Sequence, residues 1–342
     1  MKQALKPLWE VILTLVVVFC FTTLVLWLAG APPLKAYYYI FKGAFGSWSK
    51  VGHVLKAWVP LTLCAAGLLY TFRINLWNIG VEGQMIMGAV LATLVLRWGT
   101  DAGAPVLVIA GALTAGMIGG GIWALFAGIL KTRGGINEIF AGLGLNFVAQ
   151  GMVLWLIFGP WKRPGIASMS GTELLPHDLW LSTATPLRIT PTGIVITVAV
   201  VVLTALLLRY STIGLRLRAI GNNPDAVILY GHRPGRYMLM AMLLAGGFAG
   251  MAGTLQVTGV YHRLIPAISS GYGYLALLVV MLANYNSWVS PVIAFVFACL
   301  NVGSIQLPMV LKIDSSLSGV IQGALVLATL AVHAWRSSRP RT

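Results

Sequence analysis

Charged residues are scarce in this sequence, and their scarcity excludes most classes of protein. Only 9% of the 342 residues are charged, whereas 58% are hydrophobic. A soluble domain carries about a quarter charged residues, so this chain has too little polar surface to cover a water-soluble globule. The composition excludes a soluble enzyme, a disordered tail protein and a collagen-like fibre, and it predicts a polytopic helical membrane protein.

Acidic residues and cysteines are scarcer still. Eight Asp and Glu stand against 23 Lys and Arg, which gives a net charge of +15. Because the basic residues lie between long apolar runs, we interpret them as topology signals at a membrane surface and expect no nucleic acid polymer as a partner. The three cysteines, Cys20, Cys64 and Cys299, lie within apolar runs without metal-ligand spacing, which is typical of small buried hydrophobes.

Motifs that carry catalysis are also missing. The sequence has no Walker A, HExxH, CxxC or GxSxG pattern, and its five histidines are scattered. We therefore expect no enzymatic activity, no bound cofactor and no metal site in this chain.

Long apolar runs are what the sequence has in abundance, each near the ~20 residues that cross about 30 Å of hydrocarbon. They predict an all-α integral membrane protein with about ten transmembrane helices in a single domain over residues 1–342. The first run is long enough to span, although Ala29-Gly30-Ala31 resembles a signal-peptide cleavage site. The ten predicted spans are 11–29, 54–72, 76–98, 105–130, 137–158, 191–209, 237–260, 273–288, 290–306 and 318–335.

Basic clusters next to span ends predict the orientation. Residues 209–236 and the C-terminal tail are rich in arginine, and the positive-inside rule puts both in the cytoplasm. Three lysines in the outer segment 30–53 oppose this assignment, but an even number of spans agrees with it. We predict a multi-pass plasma-membrane protein with both termini cytoplasmic, a cytoplasmic loop at 210–236 and an outer loop at 159–190. The prolines and aromatic residues of the outer loop indicate a structured cap.

A first polar stripe surrounds the start of the third span. Asn75, Asn78 and Glu82 are spaced i, i+3 and i+7, so a helix would place them on one face. Glu82 is notable because an ionisable residue within a span is costly. One interpretation is a stripe that lines a path for solute. The alternative is a structural hydrogen-bond network that clamps a helix start.

A second stripe follows with a spacing of four residues, at Glu138, Gly142, Asn146 and Gln150. Glu138 lies near the helix start and is expected to cap it. Asn146 and Gln150 lie deeper and are better suited to contact a polar, uncharged solute, although interhelical hydrogen bonding would use the same side chains. The candidate pathway residues from both stripes are Asn78, Glu82, Asn146 and Gln150.

Two further helices are rich in glycine, which permits close contact between helix backbones. This pattern predicts packing and indicates no particular function. The glycines are Gly116, Gly119, Gly120 and Gly121 in one helix and Gly246, Gly247, Gly250 and Gly253 in the other.

The cytoplasmic loop contains a signal for a short helix. Asn222 or Asn223 can cap it, Pro224 suits its first position and Gly231 its end. An isolated helix of this length is marginal in water. We therefore expect it to pack against this protein or against another subunit.

Four segments give the chain a resemblance to a known family: NLWNIGVEGQMIMG (75–88), GINEIFAGLGLN (135–146), RAIGNNPDAVILYG (218–231) and SGYGY (270–274). Together they are specific, and they span nearly the whole chain. The sequence resembles the permease subunit of bacterial ABC importers for simple sugars and nucleosides, in the branch associated with purine nucleoside uptake. Val227 and His232 depart from the family pattern, where Ala and Ile are expected.

The resemblance implies an importer of several chains in the bacterial inner membrane. Its expected partners are membrane lipid, an ABC ATPase subunit that uses the ATP, a second and non-identical permease, and an extracytoplasmic solute-binding protein. The short helix at 222–231 would be the coupling helix that docks into the ATPase. Its expected coupling residues are Asn222, Asn223, Pro224, Asp225, Ala226 and Gly231.

The expected cargo is a neutral, hydroxyl-rich solute such as a nucleoside, which matches the amide-rich stripes and the scarcity of charge within the spans. A permease for a simple sugar such as ribose or galactose is the first alternative. A stand-alone secondary transporter with Glu82 as its proton site is the second, and a structural scaffold or lipid-modifying enzyme is the third.

Overall fold

The structure is a computed structural model that describes residues 30–163, 165 and 171–311, with scattered positions near the ends (16, 19–24, 26–28, 320, 323, 327 and 331). The predicted span 318–335 therefore lies largely outside the described residues, and the predicted span 11–29 is described only at residues 16, 19–24 and 26–28. The basic C-terminal tail and Pro164 lie outside the described residues as well.

Helices dominate the described part of the chain, where turns and irregular segments connect them and one isolated bridge joins Ala184 and Ile189. They are α1 (Pro33–Phe45), α2 (Trp48–Arg73), α3 (Val81–Trp98), α4 (Pro105–Thr132), α5 (Glu138–Phe158), α6 (Pro191–Tyr210), α7 (Thr212–Asn222), α8 (Pro224–Leu229), α9 (Pro234–Gln256), α10 (Tyr272–Leu282), α11 (Ser290–Ser304) and α12 (Leu307–Leu311). A 3₁₀ turn, His177–Leu179, precedes α6, and a π-helical turn, Val257–Tyr261, continues α9.

Seven helical segments of the described chain are long and apolar enough to cross a membrane: α2, α3, α4, α5, α6, α9 with its π-helical turn, and α11 together with α12. Helical residues of Phe19–Leu28 and α1 form a bent pair with an angle of 112°, which could count as an eighth span. The all-α, polytopic architecture is confirmed, and the total of ten spans stays a prediction.

The start of the third span differs from its prediction. Residues 74–80 form a turn, and α3 begins only at Val81. Asn75 has a φ of 56°, in the left-handed region that asparagine tolerates better than most residues. The prediction that Asn75, Asn78 and Glu82 share one helix face is therefore wrong, because Asn75 and Asn78 lie in the turn.

The eighth predicted span, 273–288, is also wrong in extent. The helix there, α10, has 11 residues, which at 1.5 Å per residue is roughly 16 Å and cannot cross ~30 Å of hydrocarbon alone. It ends in a turn where Asn284 and Tyr285 have φ values of 48° and 58°. A backbone that leaves the right-handed region at two consecutive residues cannot continue an α-helix.

The chain divides into two compact units, one of residues 55–295 and one of residues 1–54 with 296–342. In the larger unit α3, α4 and α9 pack together, and the two predicted glycine-rich helices, α4 and α9, lie directly against each other. A Cβ added to Gly120 would lie 2.8 Å from Gly250 Cα, and one added to Gly250 would lie 3.1 Å from Gly120 Cα. The predicted close backbone contact is confirmed. The single domain over 1–342 stays a prediction.

The smaller unit has an apolar cluster of its own. Buried side chains of α1 and of the residues before it pack against Leu307. Gly43 of α1 lies against Gly303 of α11, where an added Cβ would stand 2.6 Å from the Gly303 carbonyl oxygen.

Candidate functional site at the junction of α3, α5 and α10

The carboxylate of Glu82 connects the starts of two helices. Glu82 lies in the first turn of α3 and is 7% exposed. Its Oε1 accepts from the N–H of Gly271 at 3.0 Å and its Oε2 from the N–H of Gly273 at 2.8 Å. The first N–H groups of a helix have no partner within that helix. Glu82 therefore caps α10 from α3, and glycine at 273 leaves room for the carboxylate.

Asn146, in the middle of α5, joins this junction with its amide. Its Oδ1 accepts from the N–H of Gly83 at 2.8 Å. Its Nδ2 donates to the carbonyl of Ile79 at 3.0 Å and to the hydroxyl of Tyr274 at 3.1 Å. One side chain thus holds the turn before α3, the first turn of α3 and the first turn of α10.

Asn78 makes a different contact from the one expected of a pathway stripe. It forms two hydrogen bonds with Gln84, one from Asn78 Nδ2 to Gln84 Oε1 at 3.0 Å and one from Gln84 Nε2 to Asn78 Oδ1 at 2.7 Å. Both side chains are buried. This amide pair closes the turn at 74–80 onto the start of α3.

Gln150 lies one helical turn beyond Asn146 on α5. Its Nε2 donates to the carbonyl of Pro266 at 2.9 Å. Pro266 belongs to the segment that leads from the π-helical turn of α9 into α10. Asn146 and Gln150 therefore hold neighbouring parts of that segment and of α10 against α5.

The structure thus brings Glu82 and Asn146 to one junction, pairs Asn78 with Gln84 and places Gln150 at its edge. Most polar atoms of these side chains are used inside the protein, which is the arrangement expected of a structural network. Sequence reasoning missed Gln84 and Tyr274. The SGYGY segment signalled that α10 matters, but its partner lies some 190 residues earlier, beyond the reach of local patterns.

Tyr274 is the polar member of the junction that also faces outward, since it is 41% exposed. Its hydroxyl accepts from Asn146 and keeps its own proton free to donate. The junction can therefore offer this hydroxyl to a neutral ligand. Among the described residues, no group of three His, Cys, Asp or Glu lies close enough to hold a metal ion.

The start of α5 corrects one expectation about Glu138. The cap is Asn137, whose Oδ1 accepts from the N–H of Ile139 at 2.8 Å. Glu138 instead forms an ion pair with Lys131 at 2.8 Å. A carboxylate in the first turn remains favourable for the helix dipole.

The short helix predicted within residues 222–231 is present as α8 (Pro224–Leu229). Asn223 caps it, since its Oδ1 accepts from the N–H of Ala226 at 3.1 Å, and Pro224 takes the first position before Asp225. Asn222 is the last residue of α7 and does not cap α8. Gly231 closes the turn after α8 with a φ of 78°, and its N–H donates to the carbonyl of Ile228 at 2.9 Å.

The residues at the C-terminal end of α8, which we call its tip, are apolar and exposed to solvent. Leu229 is 88% exposed and Tyr230 is 84% exposed, whereas Val227 is buried. Apolar side chains exposed at the end of a short, capped helix are typical of a contact with another protein.

A second short helix, α7, was not predicted, and it connects α8 to the junction. Ser211 caps it by accepting from the N–H of Gly214 at 3.2 Å. Near its other end, the carbonyl of Gly221 accepts from Nδ2 of Asn75 at 2.7 Å. Because Asn75 lies in the turn that Asn78 and Asn146 hold, a continuous set of hydrogen bonds leads from α7 to the start of α3.

Residues 171–181 of the predicted outer loop are structured. Their backbone donates from Thr172 to Leu264 at 2.9 Å, from Leu175 to His262 at 2.9 Å and from Leu181 to Thr258 at 3.1 Å. The rings of His177 and His262 lie on either side of Trp180, at centroid distances of 3.7 and 3.8 Å. Burial in this cover lowers the pKa of His262 below its usual value.

Comparison with known proteins gives the family and several relatives of this chain. A family described as branched-chain amino acid transport system / permease component matches residues 51–330. The guanosine ABC transporter permease protein NupP of Bacillus subtilis is 26% identical over 98% of this chain and 95% of its own length. The glucose ABC transporter permease protein TsgB13 of Haloferax volcanii is 27% identical over 86% of this chain and 80% of its own. A second guanosine ABC transporter permease protein of Bacillus subtilis, NupQ, is 23% identical over 66% of this chain and 72% of its own.

Proposed function

Because the chain belongs to the family of branched-chain amino acid transport system permease components, we propose that it is the transmembrane subunit of an ATP-driven importer that carries a nucleoside. Membership of this family confirms the resemblance to ABC importer permeases that the four sequence segments indicated. It describes a component of a transporter and not a catalytic enzyme. The near full-length similarity to the guanosine permease NupP is the observation that carries the choice of solute.

The chemistry of the junction supports a neutral cargo. Amide and hydroxyl groups line it, and its one carboxylate is occupied by backbone N–H groups of α10. A nucleoside presents hydroxyls and ring nitrogens, which such groups bind without a charge partner. We propose that Asn78, Glu82, Asn146 and Gln150 form or position one wall of the solute pathway, with Tyr274 as its exposed polar contact.

A simple sugar such as ribose or galactose is the second candidate. The similarity to the glucose permease TsgB13 supports it, and a sugar offers the same hydroxyls without a base. Uptake distinguishes the two. Cells that express the chain with its partner subunits should accumulate labelled guanosine, and excess unlabelled sugar should not compete. Competition by sugar and not by nucleoside would establish the alternative.

Energy for transport would come from ATP hydrolysed on a separate ABC ATPase subunit. We propose that Leu229 and Tyr230, at the tip of α8, dock into that subunit. The hydrogen bonds from α7 through Asn75 to the turn at 74–80 would then transmit its movement to the junction. Such a contiguous set of contacts can move as a rigid body between two packings.

The remaining parts of the assembly follow from this proposal. A second, non-identical permease is supported by the similarity to two different guanosine permeases of one organism, NupP and NupQ. An extracytoplasmic binding protein would deliver solute to the face that carries residues 171–181. Both termini and α8 would lie in the cytoplasm, with the chain in the bacterial inner membrane.

Dependence on the ATPase is the decisive test against a stand-alone proton-coupled transporter. We expect proteoliposomes that contain the assembled complex to take up guanosine only when ATP is present on the side of the membrane that α8 faces. Uptake by this chain alone, driven by a proton gradient, would contradict the proposal.

A further inference from the structure

A polar cavity lies beside the ends of α2 and α6, away from the junction. Its volume is about 280 Å³, which is near the lower limit of the ~300–1,000 Å³ typical of ligand pockets. Arg73, Arg209 and Arg218 line it, together with the turn at 284–288, and no Asp or Glu is part of its wall. The cavity therefore combines three positive charges with no negative one.

The three arginines lack charge partners within the described residues, where the ion pair found is Lys131 with Glu138. Arg73 donates one long hydrogen bond, from Nη2 to the carbonyl of Tyr285 at 3.4 Å, and its Nε is buried without an acceptor. Like charges that share a cavity repel each other, and a buried donor without a partner is unfavourable. An anion bound between the guanidinium groups would reduce the repulsion between them and would give the buried donor an acceptor.

The helix dipole accounts for only part of this arrangement. Arg73 and Arg209 lie in the last turns of α2 and α6, where a cation is favoured. Arg218 lies outside the last turn of α7 and gains nothing comparable. The helix dipole also does not explain why the Nε of Arg73 is buried without an acceptor.

The turn that forms the opposite wall is strained. Asn284 and Tyr285 both have positive φ values, of 48° and 58°. A tyrosine rarely adopts this conformation, and such strain concentrates at functional sites. The Tyr285 carbonyl is the group that Arg73 contacts, so the strained residue is part of the cavity wall.

The cavity lies beside the ends of two helices that are long and apolar enough to cross a membrane, where lipid headgroups are expected. Arg73 and Arg209 end two membrane-spanning helices, and Trp288, also in its wall, is 51% exposed. Tryptophan is enriched at the membrane–water interface, where basic pockets between helices bind phosphate headgroups.

We infer that this cavity binds a phosphate group, held by the guanidinium groups of Arg73, Arg209 and Arg218. Guanidinium binds phosphate through paired N–H donors, which suits a cavity lined by three arginines. The position of the cavity makes an anionic phospholipid the expected source of the phosphate. This inference does not depend on which solute the protein carries.

Native mass spectrometry of the purified full-length chain in detergent tests the inference. Dioleoyl-phosphatidylglycerol, dioleoyl-phosphatidylcholine and inorganic phosphate are titrated separately. We expect the chain to bind phosphatidylglycerol at least tenfold more tightly than phosphatidylcholine. The triple variant Arg73→Gln/Arg209→Gln/Arg218→Gln should lose this preference. Arg218→Glu, at an exposed position that should not disturb folding, should weaken it at least fivefold.

A matched triple variant, Lys35→Gln/Lys42→Gln/Lys50→Gln, removes the same charge elsewhere and should keep the preference. Binding of inorganic phosphate that requires the same arginines, without a preference for phosphatidylglycerol, would support the phosphate site and assign it a soluble ligand. The inference is overturned if neither probe binds, or if the lysine and arginine variants lose binding equally.

Discussion

The seam between α4 and α9 and the arm formed by α7 and α8 are built in opposite ways. In the seam, glycines bring two helix backbones into contact, and a Cβ at Gly120 or Gly250 would meet backbone atoms of the other helix. In the arm, two short helices are held by caps and by the bond from Asn75 to Gly221, while Leu229 and Tyr230 stay exposed. The difference separates a tightly packed contact between two helices from a pair of short helices that leaves apolar side chains exposed for a partner.

Filling the seam should have the largest effect on stability. In Gly250→Ala the new methyl group would stand 2.9 Å from the Gly116 carbonyl carbon and 3.1 Å from Gly120 Cα. Overpacking a core lowers the free energy of unfolding by ~1–3 kcal/mol, occasionally more. Because the contacted atoms belong to helix backbones, we expect a loss of ~3 kcal/mol in this variant. The loss of stability is measured as a lower unfolding temperature of the detergent-solubilised variant, with size-exclusion chromatography to detect the protein that remains folded after heating.

Gly247→Ala is the matched control in the same helix, because its added Cβ would be 3.7 Å from the nearest atom, the Met117 carbonyl oxygen. That variant should unfold at the temperature of the unaltered protein. Equal losses in both variants would show that α9 is sensitive to any substitution and that the seam is not special.

Removing the carboxylate at the junction should have an intermediate effect. Glu82→Ala leaves the N–H groups of Gly271 and Gly273 without an acceptor. Because only Gly273 is fully buried, we expect a total loss of roughly 2 kcal/mol in the free energy of unfolding. Glu82→Gln keeps one acceptor oxygen and should lose about half as much. Glu173→Gln, at an exposed position, is the control. Guanosine uptake is measured in the same preparations, and full uptake and stability in Glu82→Ala would contradict a role at the junction.

Changing the tip of the arm should affect transport while stability hardly changes. Leu229→Glu alters a side chain that is 88% exposed, and such surface changes usually stay within about 0.5 kcal/mol. We expect uptake and transport-linked ATP hydrolysis to fall at least tenfold because the ATPase contact is lost. Leu215→Glu, also exposed but on α7, should retain uptake. Normal transport by Leu229→Glu would contradict the assignment of α8 as the coupling helix.

Acidification should have the smallest effect, confined to residues 171–181 and the turn that they cover. Burial lowers the pKa of His262, so the unfolded chain binds the proton more readily than the folded one. The stability contributed by the neutral imidazole is complete above about pH 6.5 and is lost as the pH falls below it. The protection factors of the amides at 171–181, which correct for the pH dependence of intrinsic exchange, should therefore fall between pH 7.5 and 5. In His262→Gln this decrease should be absent.

Local signals predicted α8 better than they predicted the junction. The cap, first position and end of α8 were all predicted, because Asn223, Pro224 and Gly231 act within a few residues of one another. The stripe through Asn75 failed because a turn precedes α3. The partners of Glu82 were not predicted, because hydrogen bonds between residues some 190 positions apart leave no periodic pattern.

The amino-acid sequence alone determined that this protein is a helical membrane protein with glycine-lined contacts and a short capped helix within residues 222–231, because hydrophobic length, helix capping and the missing Cβ of glycine act over short stretches of chain. Only the tertiary structure decided that Glu82 caps α10, that Asn146 joins three segments and that three arginines share one cavity. Those arrangements depend on which buried donors and charges are brought together by helices distant in the chain, and burial makes each of these pairings energetically important.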